Sequence, residues 1–144
     1  GAAIVWLAYL PHWAETEDKA AKLGIFCTAP AIRNYPANIL CEIIGTFFLV
    51  FVIWMIFSKQ VGAIPPGVGP YIVGVLIWAI GLSLGGPTGY AINPARDLGP
   101  RLAHAILPIA GKGGSDWGYA WVPVVAPIIG ALVAYGVASA LSIF

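Results

Sequence analysis

A polar helix start interrupts an otherwise apolar stretch of this chain. Residues 71–92 carry no charged side chain and are mostly apolar, and the segment Asn93-Pro94-Ala95-Arg96-Asp97 follows them directly. Asn is among the best N-cap residues and Pro fits the first helical position, so a helix is expected to begin here. Because a charged group is costly in lipid, this helix start must face protein or water. The pattern is typical of a short helix that enters a bilayer without crossing it and lines a polar path.

The composition indicates an integral membrane protein. Of the 144 residues, 60% are hydrophobic and only 9% are charged, whereas a soluble domain carries about 25% charged residues. A net charge of +1 gives no reason to expect a nucleic-acid partner. Cys27 and Cys41 do not have the spacing of a metal site, and no nucleophile or metal set suggests an enzyme. We therefore expect no catalytic residue, no metal and no cofactor.

Three complete membrane spans are predicted, because a span needs roughly 20 apolar residues. They are expected at about residues 38–58, 70–84 and 117–142, and residues 1–10 are interpreted as a partial span, the tail of a further helix. Residues 14–36 are predicted to be a polar loop, and residues 85–92 are predicted to leave the helical path. A helix over residues 94–106 would be about 20 Å long at 1.5 Å per residue. That length is too short to cross a bilayer, so the sequence predicts a re-entrant half-helix.

Small residues predict where helices pack closely, because they let membrane helices approach one another. Gly74, Gly81 and Gly85 share one face of the second predicted span. Four small residues spaced by four form a ridge on the last span: Ala126, Gly130, Ala134 and Ala138. We expect these small faces to contact neighbouring helices, whether of the same subunit or of another.

The predicted half-helix offers hydrogen-bond donors beside a row of acceptors. With Asn93 as the N-cap, its side-chain oxygen accepts backbone N–H groups of the first turn, and its amide N–H₂ group points outward as a donor. The helix start also carries about half a positive charge, to which Arg96 adds a full one. The backbone carbonyls of Gly89, Tyr90 and Ala91 lie just before the helix and are tolerated at membrane depth only where they face protein or water. This arrangement disfavours cations and suits water or a neutral hydroxylated solute.

Four further ionisable residues need partners. Glu42 lies near the start of the first complete span, where it either reaches the interface or, as we expect, accepts unpaired N–H groups of the loop before Asn93. Asp97 and Arg101 are four residues apart with the acid first, the favourable order for a helical ion pair, and a structural role is favoured over a substrate contact. His104 falls late in the half-helix and is expected to face water or the connector that follows.

Residues 93–97 carry a resemblance to a known family. Asn93-Pro94-Ala95 with Arg96 resembles the second signature of the aquaporin superfamily, and the following Asp97 with Arg101 resembles its glycerol-facilitator branch, the aquaglyceroporins. Pro123 in the last span is similar to the same branch. The resemblance covers nearly the whole chain, residues 1–144, as the C-terminal half of a single channel domain of that family.

The resemblance implies an all-α membrane protein with an aquaporin-like right-handed helical bundle, present as its second half only: a helix tail, three transmembrane helices and one re-entrant half-helix. It implies a selectivity filter formed by Arg96, Tyr90, Gly81 and an aromatic residue of the missing first half. Tyr90 stands where the family usually has Phe, which leaves the range of solutes open. Glu42 matches the buried Glu that supports the second loop. The first Asn-Pro-Ala half-helix is not found in this sequence, so we expect the protein to be about twice as long.

These features predict passive diffusion of glycerol and similar small neutral solutes, together with water, through a multi-pass protein of the cell membrane. The resemblance implies a homotetramer with one pore per subunit, surrounded by membrane lipid. Two alternatives stay open. One is a water-selective channel, against which Gly81 and Asp97 speak, and the other is a non-conducting membrane scaffold built on the same fold.

Overall fold

The computed structural model describes residues 1–143, and every regular element in that range is a helix. In chain order the helices are α1 (Ala2–Ala8), α2 (His12–Glu15), α3 (Lys19–Gly24), α4 (Tyr35–Ile56), α5 (Val68–Thr88), α6 (Pro94–Ile106) and α7 (Val122–Ala140). Three of these, α4, α5 and α7, are long and apolar enough to cross a membrane. The predicted all-α architecture, with three spans and a short helix between the last two, is therefore confirmed.

Close packing of α4 against α7 forms the centre of the molecule. The small ridge of α7 lies in this contact, with Ala126, Ala134 and Ala138 completely buried. A methyl group built on Gly130 would lie 2.6 Å from the carbonyl oxygen of Ile43, so only glycine fits. The prediction that this ridge packs on a neighbouring helix is confirmed, and the partner helix belongs to the same chain. On the other sides, α5 packs on α4, and α6 packs on α7 and α1.

Helix α5 continues further than the sequence predicts. Residues 85–92 are predicted to leave the helix, but α5 extends to Thr88. Pro87 lies in the last turn of α5, where its missing N–H removes a single hydrogen bond and its fixed φ suits a helix. Gly89 then ends the helix in the left-handed conformation (φ 77°), and its N–H donates to the carbonyl of Gly85 at 2.9 Å. The chain therefore leaves the helix at a glycine cap, as is common at helix C-termini.

Two other helices begin away from the predicted positions. Helix α4 starts at Tyr35 instead of residue 38, because the side chain of Asn34 caps it by accepting the N–H of Ala37 (3.2 Å) and a proline lies in its first turn. Helix α7 starts at Val122 instead of residue 117, because residues 117–121 form hydrogen-bonded turns. The aromatic residues that precede α7 therefore lie outside the helix.

The segment between α2 and α4 is more buried than its composition predicts. The sequence predicts a polar loop over residues 14–36, but Phe26, Cys27 and Thr28 are buried. Phe26 and Cys27 form a small core with Trp13 and Ile109. The prediction of a solvated loop is therefore wrong for residues 26–28, which pack against the buried face of α6 because polar groups on that face need partners. It is also wrong for Lys19–Gly24, which form α3 and in which Lys22 is buried.

Candidate functional site

Helix α6 begins at the cap that the sequence predicts. The side-chain oxygen of Asn93 accepts the N–H groups of Ala95 (2.9 Å) and Arg96 (3.4 Å), and Pro94 occupies the first turn. The side chain of Asn93 is exposed, and its amide nitrogen donates to no residue between positions 1 and 143. The first turn of α6 thus presents two exposed hydrogen-bond donors, the Asn93 amide and the Arg96 guanidinium.

Glu42 lies beneath the loop that leads into α6, and its side chain is 1% exposed. One carboxylate oxygen accepts the Thr88 hydroxyl (2.6 Å) and the Ala91 N–H (3.0 Å), and the other accepts the Ile92 N–H (2.7 Å). These two N–H groups belong to the loop before Asn93, where we expect the partners of Glu42 to lie. The alternative, in which Glu42 reaches the membrane interface, does not fit its burial. The carboxylate satisfies donors that no helix or strand pairs, with hydrogen bonds strengthened by its charge.

The loop that Glu42 contacts has an unusual backbone. Gly89, Tyr90 and Ile92 have positive φ values of 77°, 40° and 42°, which are uncommon for residues with a Cβ and rare for a β-branched residue such as Ile. Such conformations persist only where the surrounding structure holds them. Here Glu42 fixes two loop N–H groups, and the carbonyls of Gly89, Tyr90 and Ala91 accept no hydrogen bond from the described part of the chain. These carbonyls are therefore available to a partner outside it.

Three residues that the resemblance assigns to a filter lie together. The ring of Tyr90 lies on the glycine face of α5, where a methyl group built on Gly81 would be 3.0 Å from Cζ of Tyr90 and one on Gly85 would be 3.2 Å from Cδ1. The guanidinium carbon of Arg96 is 5.7 Å from the centre of the same ring, within the range of a cation–π contact. Gly81 and Gly85 therefore make room for a ring and not for a helix, which corrects the prediction for this face. Gly74, the third glycine of the face, has no described atom within 4 Å of a methyl group built on it.

A completely buried ion pair joins Asp97 and Arg101 on the inner face of α6. Arg101 Nε is 2.8 Å from Asp97 Oδ1, and Arg101 Nη2 is 2.9 Å from Asp97 Oδ2, so the pair is bidentate. The guanidinium also donates to three backbone carbonyls, those of Ser115 (2.8 Å), Asp116 (3.1 Å) and Thr28 (2.8 Å). A buried pair is tolerated when its remaining groups are satisfied in this way. Neither side chain reaches the exposed face of α6, which agrees with the structural role expected for the pair.

Thr28 completes the same network from the loop before α4. Its N–H and its hydroxyl both donate to Oδ2 of Asp97, at 2.8 Å and 2.6 Å. Its side chain also lies close to Gly89, because a methyl group built on Gly89 would be 3.2 Å from Cβ of Thr28. Thr28 therefore contacts both the half-helix and the loop that leads into it.

The C-terminal end of α6 is held by the connector that follows it. Lys112 Nζ donates to the carbonyls of His104 (2.6 Å), Ala105 (2.9 Å) and Leu107 (2.7 Å), where a cation is favoured by the helix dipole. His104 is completely buried, and its Nδ1 lies 2.9 Å from the hydroxyl of Ser115. The side chain thus faces the connector and not water, which selects one of its two predicted orientations.

The two cysteines are free thiols. Within residues 1–143, no group of three His, Cys, Asp or Glu side chains is placed to hold a metal ion. Burial raises the pKa of the Cys27 thiol to about 11, so this thiol stays protonated at physiological pH and is a poor nucleophile.

Some residues of the site are not recognisable from sequence patterns. Thr28 and Thr88 act through contacts with residues 69 and 46 positions away, Asp97 and Glu42, and no local periodicity reports such pairings. Lys112 does carry a signal, because basic residues near a helix C-terminus are typical of helix ends.

The chain is similar in sequence to known proteins. The sequence profile of the major intrinsic protein family (MIP) matches residues 1–137. The chain is 60% identical over 133 residues to a probable glycerol uptake facilitator protein of Thermotoga maritima, a match that covers 92% of this chain and 56% of that protein. It is 63% identical over 130 residues to the glycerol uptake facilitator protein of Bacillus subtilis, covering 90% of this chain and 46% of that protein. The chain thus spans about half the length of the curated relatives it matches.

A solved structure supports the same fold. The X-ray structure of the aquaglyceroporin from Plasmodium falciparum matches the chain with a TM-score of 0.78 and 29% sequence identity. The match covers 92% of this chain and 55% of that one. Both the sequence and the backbone therefore align with about half of a longer protein.

Proposed function

The chain belongs to the major intrinsic protein family, and we propose that the whole protein is a passive membrane channel for glycerol and other small neutral solutes, with water passing as well. The relatives from Thermotoga maritima and Bacillus subtilis bear the name of glycerol uptake facilitators. A channel of this kind needs no catalytic residue and no cofactor, because the concentration gradient drives the solute.

The observation that carries the proposal is the grouping of Arg96, Tyr90 and Gly81. The Tyr90 ring offers an apolar surface for the carbon skeleton of a solute, and the exposed Arg96 guanidinium beside it offers N–H donors for hydroxyl groups. Gly81 leaves the space in which the ring lies. A three-carbon polyol has one apolar edge and one edge of hydroxyls, so it fits an opening with these two kinds of wall.

Hydrogen bonding continues along the loop next to this grouping. The carbonyls of Gly89, Tyr90 and Ala91 accept hydrogen bonds, and the amide of Asn93 donates them. A hydroxyl group is both donor and acceptor, so each hydroxyl of a polyol can exchange its bonds to water for bonds to these groups. The loss of hydration on entry is thereby compensated, as conduction requires.

The same site disfavours ions. The positive end of α6 and the charge of Arg96 repel cations, including hydronium. Anions are attracted to the positive groups but lose hydration in a narrow opening with one aromatic wall. Neutral solutes experience neither penalty, so they are the solute class we propose.

Swelling of liposomes tests this proposal. The full-length protein is reconstituted in liposomes, and glycerol is added outside them. The vesicles first lose water and then swell as glycerol enters, and light scattering follows this change in volume. We expect glycerol to enter several-fold faster than in protein-free vesicles. Glycerol entry equal to that of protein-free vesicles would overturn the proposal.

Two other outcomes of the same experiment correspond to the alternatives. Fast water flux with no glycerol flux would indicate a water-selective channel. No flux of either solute through a folded protein would indicate a non-conducting scaffold. The grouping of Gly81 with Tyr90 favours the glycerol channel, because a larger residue than glycine would push the ring into the path.

We also propose the setting of the channel. A stripe of exposed apolar side chains runs along α5, comprising Tyr71, Val75, Trp78 and Leu82, and such a stripe needs lipid, another part of the same protein or a neighbouring subunit to cover it. The exposed donors at the start of α6, Asn93 and Arg96, need a further half-helix opposite them to close a path. A multi-pass protein of the cell membrane that includes a first half and assembles as a homotetramer would supply both the cover for the stripe and the further half-helix.

A further inference from the structure

Thr28 contacts one neighbour of each of two proposed filter residues: Gly89, which precedes Tyr90, and Asp97, which follows Arg96. It is 5% exposed. Its hydroxyl donates to Asp97, the residue directly after Arg96, and its Cβ lies against Gly89, the residue directly before Tyr90. A single side chain from a distant loop thus contacts the side chain of the residue after Arg96 and the backbone of the residue before Tyr90.

The backbone of Thr28 is fixed to α6 at both of its polar groups. Its N–H donates to Oδ2 of Asp97 at 2.8 Å, and its carbonyl accepts Nη2 of Arg101 at 2.8 Å. Asp97 and Arg101 are themselves joined in the buried ion pair. Thr28 therefore has a defined position relative to the start of α6, and it transmits that position to Gly89.

The filter side chains have few restraints of their own. Among the described residues, the Arg96 guanidinium makes no hydrogen bond or ion pair, and its contact is with the Tyr90 ring at 5.7 Å. The Tyr90 hydroxyl likewise has no hydrogen-bond partner between residues 1 and 143. The Tyr90 ring is packed on Gly81 and Gly85, and its distance to Arg96 depends further on the backbone next to each of the two side chains.

That backbone is restrained from two sides. Glu42 holds the loop through the N–H groups of Ala91 and Ile92. Thr28 contacts the loop at Gly89, which has a left-handed φ of 77° and no Cβ. The Glu42 contacts do not reach α6, where Arg96 is tied to the loop by the chain itself and by the Asn93 cap. Thr28 is a further contact between the loop and α6.

We propose that Thr28 is a positioning residue that sets the spacing between Tyr90 and Arg96, and through it the size of neutral solute that the channel passes. This inference rests on the proposed channel function. The hydroxyl is the operative group, because it supplies the 2.6 Å bond to Asp97. This bond fixes the rotamer of the side chain that lies against Gly89, and its loss lets that side chain turn and its contact with the loop change while the backbone bonds of Thr28 still hold it to α6.

Thr28→Val tests the hydroxyl, because valine has nearly the same shape and keeps a methyl group against Gly89. Thr28→Ser is the conservative rescue, since serine keeps the hydroxyl. The full-length variants are reconstituted in liposomes, and the permeabilities to water, glycerol and a four-carbon polyol are measured. A structural control is Lys112→Met, which removes the cation from the far end of α6 and leaves the filter contacts intact.

We expect the ratio of four-carbon polyol to glycerol permeability to change by about threefold or more in Thr28→Val, the effect of one lost hydrogen bond. The ratio in Thr28→Ser stays close to that of the wild type, and Lys112→Met lowers thermal stability without altering the ratio. If Thr28→Val does not fold, Thr28→Cys tests the same bond, because a thiol of similar size is a weaker donor, and its ratio is expected to shift in the same direction.

Permeabilities that all fall by one factor in Thr28→Val, or a ratio equal to that of the wild type, would overturn the positioning role. That result is separate from a failure of the proposed function, which would show as absent glycerol flux in the wild-type protein. A ratio that shifts as much in Lys112→Met as in Thr28→Val would also count against the inference, since it would trace the effect to stability alone.

Discussion

The ring of Tyr90 lies directly against the backbone of Gly81. A methyl group built on Gly81 would be 3.0 Å from Cζ of Tyr90 and 3.3 Å from its hydroxyl oxygen. These distances are shorter than ordinary carbon–carbon and carbon–oxygen contacts, so the ring occupies the space that a side chain at position 81 would need. The position of the ring, and hence of the wall that we propose it offers to a solute, depends on glycine at this place.

Gly81→Ala is therefore expected to displace the ring of Tyr90 towards Arg96 and narrow the opening. A narrower opening raises the barrier most for the larger solute, so we expect glycerol permeability to fall by roughly tenfold, which corresponds to about 1.4 kcal/mol in the barrier, and water permeability to fall less. The measurement is liposome swelling with each solute, normalised to the amount of reconstituted protein.

Gly86→Ala is the matched control for that substitution. It lies on the same helix, and a methyl group built on Gly86 meets no described atom within 4 Å. We expect its glycerol-to-water ratio to equal that of the wild type. Equal ratios in Gly81→Ala and the wild type would contradict the proposed contact between ring and path.

Glu42→Gln is expected to destabilise the protein although the shapes of the two side chains are nearly the same. The carboxylate accepts three donors, two on one oxygen and one on the other, whereas an amide replaces one acceptor by a donor. At least one buried N–H or O–H group is then unpaired, at a cost of about 1–3 kcal/mol. Thermal unfolding in detergent measures the effect, and the exposed Glu17→Gln serves as the control. An unchanged Tm in Glu42→Gln would mean that the loop does not depend on this carboxylate.

Much of the fold follows from local patterns in the sequence. The start of α6 follows from the Asn cap at Asn93 with proline after it, and the α4–α7 contact follows from small residues at every fourth position, with Gly130 at its tightest point. The contacts of Glu42 follow from the rule that a buried carboxylate needs donors, since a nearby loop has donors to offer. Each of these inferences needs only the chemistry of one segment and the cost of leaving polar groups unpaired.

Other features depend on contacts that no single segment encodes. The end of α5 depends on whether Pro87 closes the last turn or breaks it, and the left-handed cap at Gly89 decides. The face with Gly81 looks like a helix-packing face, because small residues serve a helix and an aromatic ring equally well. Thr28 lies in a segment of polar composition, and its burial arises from Asp97, which is distant in sequence. Such pairings become visible only when the chain is folded.

Cys27 is expected to react slowly with thiol reagents at pH 8, because its pKa is raised. Burial raises its pKa from 9.0 to about 11, so its thiolate fraction at pH 8 is about a hundredfold lower than that of an ordinary thiol, and the thiolate is the reactive form. Labelling by a maleimide at pH 8, followed by peptide-resolved mass spectrometry, should therefore be much slower than that of an ordinary exposed thiol. Ala29→Cys in a Cys27→Ser background provides an exposed thiol in the same loop. Equal labelling rates at pH 8 would show that the loop opens readily.

Arg96→Val is expected to weaken the barrier to cations at the start of α6. The substitution removes a full positive charge and leaves the smaller charge of the helix end, about half a unit, so hydronium and small cations meet less repulsion at the proposed filter. We expect a proton or cation leak measurable by electrode recording or by a pH-sensitive dye in vesicles, together with a retained flux of glycerol. Arg33→Gln removes another arginine, one that pairs with Asp116 away from the filter, and is expected to show no leak. If Arg96→Val is as tight to ions as Arg33→Gln, the barrier belongs to the helix end and the neighbouring carbonyls, and Arg96 acts on the solute alone.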